Sequence, residues 1–134
     1  MKAYEPYFWL ISNDLDEFMG VVYLYGISAF KIQKNENRIS NAENLYSAYI
    51  SICFKRKFWG DDVRKVAKDF ISKVFATYNL KKLKAECFSS NPCAKRLLKD
   101  LNFKIEGNFK NDTLVNGLNV DLTTFSLEKS DKNF

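Results

Sequence analysis

Between residues 45 and 78 the hydrophobic period of the chain changes once, from two to that of a helix, across a short bend containing a glycine. In "LYSAYISICF", residues 45 to 54, Tyr46, Ala48, Ile50, Ile52 and Phe54 share one face, and Leu45, Ser47, Tyr49, Ser51 and Cys53 share the other. This is a strand, and the small polar residues on its second face suit one that lines something. After "KRKFWGDD", the residues Val63, Val66, Ala67, Phe70, Ile71, Val74, Phe75 and Tyr78 keep the i, i+3, i+4, i+7 spacing of an amphipathic helix. Asp61 or Asp62 can cap it. A strand delivering a helix through a basic, glycine-bearing bend points to an α/β chain.

The flanking segments extend this pattern. "YFWLI", residues 7 to 11, and "FMGVVYLY", residues 18 to 25, surround a polar turn and predict a hairpin. "KIQKNENRISNAEN" has no period and reads as a long mobile loop. "KLKAECF", residues 82 to 88, alternates as a strand does. Asn91 then stands at a cap position with Pro92 at the first helical position, and Ala94, Leu97, Leu98 and Leu101 share a face. "FKIEG" resumes a strand. Asn116 and Gly117 sit between apolar runs, a strong hairpin signal, and the closing "KSDKNF" is expected to fray. With 134 residues, no internal repeat and no linker, the chain is expected to be a single domain over residues 1–134: an α/β sandwich on a mixed, mostly antiparallel sheet with two main helices.

Composition excludes several kinds of chemistry. The chain has no histidine, which removes Ser/His triads, Cys/His dyads and most zinc sites. Proton transfer is left to carboxylates, Tyr, Cys, Lys or water, and no metal site is expected. Cys53, Cys87 and Cys93 form no CxxC pair, and an odd number argues for reduced thiols in the cytoplasm. Cys53 and Cys87 read as strand core rather than as nucleophiles. No stretch is long and apolar enough for a signal peptide or a membrane span. A net charge of +5 permits an anionic partner, but the basic residues are scattered among acidic ones and match no reader motif, so nucleic acid is not the expected ligand.

Three segments carry a resemblance to a known family. "NPCAKRLLKDLNFKIEG", "VNGLNVDLTTFSLEK" and "FWGDDVRKVAKDF", in this order and at this spacing, resemble the GCN5-related N-acetyltransferase superfamily, in particular its ribosomal-protein alanine acetyltransferase branch. The resemblance implies an acyl-CoA N-acyltransferase fold, acetyl-CoA as co-substrate, and an amine acceptor, either a small molecule or a protein N-terminus. It also implies a splayed strand followed by a glycine-rich loop whose N–H groups hold the CoA diphosphate at a helix N-terminus.

In this chain Trp59 takes the loop's leading position and Gly60 follows. Asp62 stands where a second glycine is usual and Arg64 where a small residue is usual. The implied cofactor-binding set is Ile52, Phe54, Trp59, Gly60, Asp61, Asp62, Val63, Arg64 and Asn91. Either Lys55, Arg56, Lys57, Arg64 and Lys65 hold phosphates while the aspartates turn aside, or the aspartates fill the anion site themselves. Tyr49 occupies the strand position of the family's usual Glu and is the candidate catalytic residue; Leu98 and Ala94 replace its usual Tyr and Ser.

The family's first strand and two helices have no counterpart before Tyr7, so the chain is expected to be a shortened relative. The exposed edge of its first hairpin invites a homodimer. The alternative expectation is an inactive binding module of the same fold that serves a protein partner.

Overall fold

The computed structural model describes residues 2–5, 7–29, 45–88, 91–115 and 117–129, with side chains described except at 2–5, 29, 45 and 111–115. The predicted loop and the fraying terminus from residue 130 onward lie outside these. The elements are β1 (Lys2–Glu5), β2 (Phe8–Ser12), β3 (Phe18–Ala29), β4 (Leu45–Phe54), α1 (Asp61–Tyr78), β5 (Lys82–Phe88), α2 (Pro92–Asp100), β6 (Lys104–Val115) and β7 (Leu118–Glu128). A single turn of 3-10 helix, Arg56–Phe58, links β4 to α1.

The strands form one seven-stranded sheet in the order β1-β2-β3-β4-β5-β7-β6. Every neighbouring pair is antiparallel except β4 and β5, which run parallel because α1 returns the chain between them. This is the mixed, mostly antiparallel sheet with two helices that the sequence predicts. Two strand assignments change. A short strand, β1, pairs outside β2, so the outer strand of the first hairpin is not the sheet edge. "FKIEG" and the first arm of the final hairpin are one strand, β6, with irregular register between Ile105 and Gly107 and between Phe109 and Thr113.

Strand register decides which face is filled. Trp9 opposes Val22, Val22 opposes Ile52, Ala48 opposes Leu83, and Ala85 opposes Phe125, which puts all of these on one face. Both helices bury their apolar stripes there, α1 with Val63, Ala67, Phe70, Ile71, Val74 and Phe75, and α2 with Leu97 and Leu98. Phe70 and Phe75 are almost wholly buried. Truncating either to Ala is expected to cost about 3–5 kcal/mol.

The opposite face carries Phe8, Tyr23, Tyr25, Tyr49, Lys84 and Glu86. Among the described residues no helix covers it. No helix among them is long and apolar enough to cross a membrane.

Candidate acyl-CoA site

β4 and β5 stay together only briefly. Their parallel ladder runs from Ser47–Lys82 through Ala48–Leu83 to Tyr49–Lys84 and stops there, although β4 continues to Phe54 and β5 to Phe88. Beyond Tyr49 the β4 backbone has lost its partner on the β5 side. The gap that opens is a cleft of ≈ 290 Å³. Its lining comes from both faces of the sheet. Ile50, Ile52, Ala85 and Cys87 line it with Asn91, Ala94, Leu97 and Leu98 on the helix side, while Tyr25, Ser51, Cys53, Glu86 and Phe88 line it on the other. The cleft therefore lies along the parted edges of the two strands.

Trp59, which borders this cleft, is followed at once by the start of α1. The N-cap is Gly60, not Asp61 or Asp62, and no side chain caps the helix. Gly60 has φ 117° and ψ −132°, a conformation that is essentially confined to glycine, and a Cβ placed there would meet nothing within 4 Å. The first backbone bond within the helix runs from the Arg64 N–H to the Gly60 carbonyl, 3.0 Å, which leaves the preceding amides at the positive end of the helix dipole.

The aspartates do not cover these amides. The Asp61 carboxylate accepts from Arg64 Nη1 at 2.6 Å, while Asp62 lines a separate recess with Ser12, Asn13 and Lys65. Val63, implied as a cofactor contact, is fully buried, backbone included, and belongs to the core under α1.

The basic bend is redistributed as well. Lys57 is paired with Glu17, whose carboxyl the Lys57 ammonium holds below its ordinary value, and Lys55 lies over the Phe18 ring. Both face the first hairpin. Arg64 stays beside Gly60, tied also to Asp100 through Nη2 at 2.9 Å. It shares a second cavity, ≈ 340 Å³, with Trp59, Gly60, Cys93, Arg96, Leu97 and Asp100. Trp59 lines both cavities, and its indole N–H donates to the Phe54 carbonyl at 3.2 Å. The Phe54 side chain is half-buried and absent from the cleft lining.

Asn91 caps α2 through its side-chain oxygen, which accepts from the Ala94 amide at 3.2 Å, and it also lines the cleft. Cys87 is buried, and burial pushes its thiol up. Cys53, expected in the strand core, is exposed, because it points to the sheet face that no described helix covers.

Tyr49 closes the ladder at the point of parting but is not among the residues that line the cleft. It stacks on Tyr25, with ring centroids 5.3 Å apart, and the Lys84 ammonium lies 5.5 Å from its centroid. The phenol in the cleft is Tyr25, and burial, with the Glu86 charge adding to it, pushes its pKa up to about 12. Tyr25, Glu86 and Arg96 join the site without having been singled out in the sequence. Among the described residues no cluster of His, Cys, Asp or Glu is placed to hold a metal ion.

No protein-family model matches the chain, and no curated protein matches it. Solved structures do. Spermidine N-acetyltransferase from Vibrio cholerae, in complex with CoA and spermine, superposes with a TM-score of 0.76 over 92% of this chain and 66% of that one, at 19% identity. The chain is the acyl-CoA N-acyltransferase fold. A dodecameric structure of the same V. cholerae enzyme matches with a TM-score of 0.74 at 19% identity, over 92% of this chain and 64% of that one. The ribosomal-protein-S5-alanine acetyltransferase of Vibrio fischeri matches with 0.73 at 18% identity, over 95% and 63%. This acyltransferase fold is thus built in a chain that spans just under two thirds of the length of these proteins.

Proposed function

We propose that the protein is an acetyl-CoA-dependent N-acetyltransferase of the GCN5-related type, passing an acyl group from a thioester to an amine. The observation that carries this reading is the parting of β4 from β5 after Tyr49, directly before a helix that starts at Gly60 with no side-chain cap. A slender arm bearing amides fits such a gap, and a diphosphate fits such a helix start. The space in front of Gly60 is what a close approach of phosphate requires.

In this reading the backbone N–H groups of Asp61 and Asp62 hold the diphosphate. Arg64 and Arg96 supply positive charge beside it, and Arg64 exchanges exposed carboxylate partners for phosphate at little cost, since such surface pairs are worth about 0–1 kcal/mol. Ile52, Trp59 and Asn91 line the arm. Bound acetyl-CoA supplies the activated carbonyl, and the chain supplies orientation and exclusion of water, a contribution that can reach about 7–11 kcal/mol. Tyr49 acts by positioning, as the ring against which Tyr25 rests. The acceptor is an amine. With three unpaired thiols, a reducing cytoplasm is the compartment we infer.

Titration of the protein with acetyl-CoA in a calorimeter tests this. Micromolar binding is expected. An absence of heat at millimolar acetyl-CoA would contradict the transferase reading and leave a binding module on the same fold.

A further inference from the structure

The sheet face opposite the helices is uncovered among the described residues, yet its residues are not those of a solvated face. A row of rings crosses it. Phe8 stacks on Tyr23 at 5.7 Å, Tyr23 meets Tyr25 at 6.0 Å, and Tyr25 stacks on Tyr49 at 5.3 Å. Tyr25 keeps 38% of its surface exposed, and Phe88, on the same face of β5, keeps as much. An antiparallel sheet can leave one face in solvent, but polar residues then alternate onto that face. Rings concentrated there mark a surface that another layer covers.

The charges beside the rings narrow the choice of layer. Lys82, Lys84 and Glu86 follow one another on this face of β5, two residues apart and so about 6.6 Å from one to the next. Lys82 is paired with Glu106 at 2.9 Å. Among the described residues neither Lys84 nor Glu86 forms an ion pair, and the Lys84 ammonium lies 5.5 Å from the Tyr49 ring centroid instead. A polyanion would meet Glu86, and a polycation would meet Lys84. The complement of a cation followed by a carboxylate is the same pair run backwards, which is what a twofold-related copy of the strand presents.

We propose that this face packs on the same face of a second copy of the chain, about a twofold axis that crosses β5 at Ala85, with Lys84 of each copy meeting Glu86 of the other. The register of the sheet extends the match. Tyr49 pairs with both Tyr25 and Lys84, while Ser51 pairs with Tyr23, so the same axis sets Tyr25 of one copy on Tyr23 of the other and Tyr49 on Ser51. On β7, Ser126 is level with Lys84 and Thr124 with Glu86, so these two small side chains also face each other across the axis. Glu86, Tyr25 and Ser51 line the cleft as well, and each copy therefore lays its Lys84 over the other's cleft. The inference goes beyond the transferase reading and does not need it.

Sedimentation velocity of the whole chain at micromolar concentration, without acetyl-CoA, tests the proposal. A dimer is expected. Lys84→Glu and Glu86→Lys should each weaken it at least about tenfold, because each sets like charges against each other twice in a twofold contact. Mixed in equal amounts, the two single variants should dimerise again, since each carries the charge the other lacks, and the double variant should dimerise by itself. Lys73→Glu, the same charge change at an exposed position of α1 on the opposite face, should leave the dimer intact. A wild type that stays monomeric, a dimer that survives both single substitutions, as one joined through a sheet edge would, or single variants that remain monomeric when mixed would each overturn the proposal.

Discussion

Helix α1 begins at Gly60 with no side chain on its first amides, whereas α2 begins at Asn91, whose side-chain oxygen accepts from the Ala94 amide, with Pro92 next in line. Both helices pack on one face of the sheet; Asn91 lines the cleft, and Trp59, which lines it too, leads into α1. At α2 the cap and the proline, which has no N–H to satisfy, close the helix start. At α1 two aspartates, residues ordinarily favoured at such ends, are present and neither is used as a cap. Asp61 is held by Arg64, and Asp62 lines the recess toward the first hairpin. A helix end left open where capping residues are to hand is better explained by a ligand than by stability, and substitutions at the two ends should separate these roles.

The largest effect is expected at Gly60. Gly60→Val forces a branched side chain into a backbone region that glycine alone occupies comfortably, and fills the space in front of the amides. Acetyl-CoA affinity is expected to fall at least about 100-fold, or about 2.7 kcal/mol, in a calorimetric titration, with the far-ultraviolet spectrum retained.

A smaller effect, on stability, is expected at the other end. Asn91→Ala removes a cap worth about 1 kcal/mol, visible as a lower melting temperature, and Asn91→Asp should restore most of it. The reverse pattern, binding lost at Asn91 and stability lost at Gly60 with binding intact, would invert the assignment.

Asp61→Asn should act in the favourable direction and modestly. It removes a carboxylate beside the anion site and frees Arg64, so acetyl-CoA affinity should rise by about two- to fivefold, less at high salt.

The smallest effect concerns Tyr25. Its folded pKa, about 12, lies above the unfolded value near 10, so the folded chain holds this proton longer. Stability from this group is complete below about pH 10 and is lost as pH rises toward 12. Because the ring is more than a third exposed, the loss is expected to stay below about 1 kcal/mol. Absorbance of the phenolates during alkaline titration should show one late phase that Tyr25→Phe removes.

Local signals carried much of the fold. The change of period at β4 and α1, the alternation of "KLKAECF" and the Asn91–Pro92 start depend only on neighbouring residues, and each of these elements lies where the pattern places it. β1 was not legible because Lys2–Glu5 has no apolar run and is a strand only by pairing with β2. The continuity of β6 was hidden by "NFKND", which looks like a break and is instead a stretch of irregular register.

At the site, sequence pattern marked Gly60 and the loop but chose the wrong cap, since an aspartate next to an arginine three residues on can prefer that partner to the helix amides. Tyr25 and Glu86 lie far apart in the chain and share a cleft only because β4 and β5 diverge, which no local pattern encodes. Cys53 looked like core because its neighbours alternate correctly. Its exposure follows from its place on the face that no described helix covers.

The most direct measurement follows the backbone amides of Asp61 and Asp62 and of Ser51 to Phe54 by resonance shift and hydrogen exchange as acetyl-CoA is added. If the open start of α1 and the unpaired stretch of β4 hold the cofactor, both groups should shift and become protected together at micromolar ligand. Unchanged amides at millimolar acetyl-CoA, or protection confined to another part of the sheet, would contradict it.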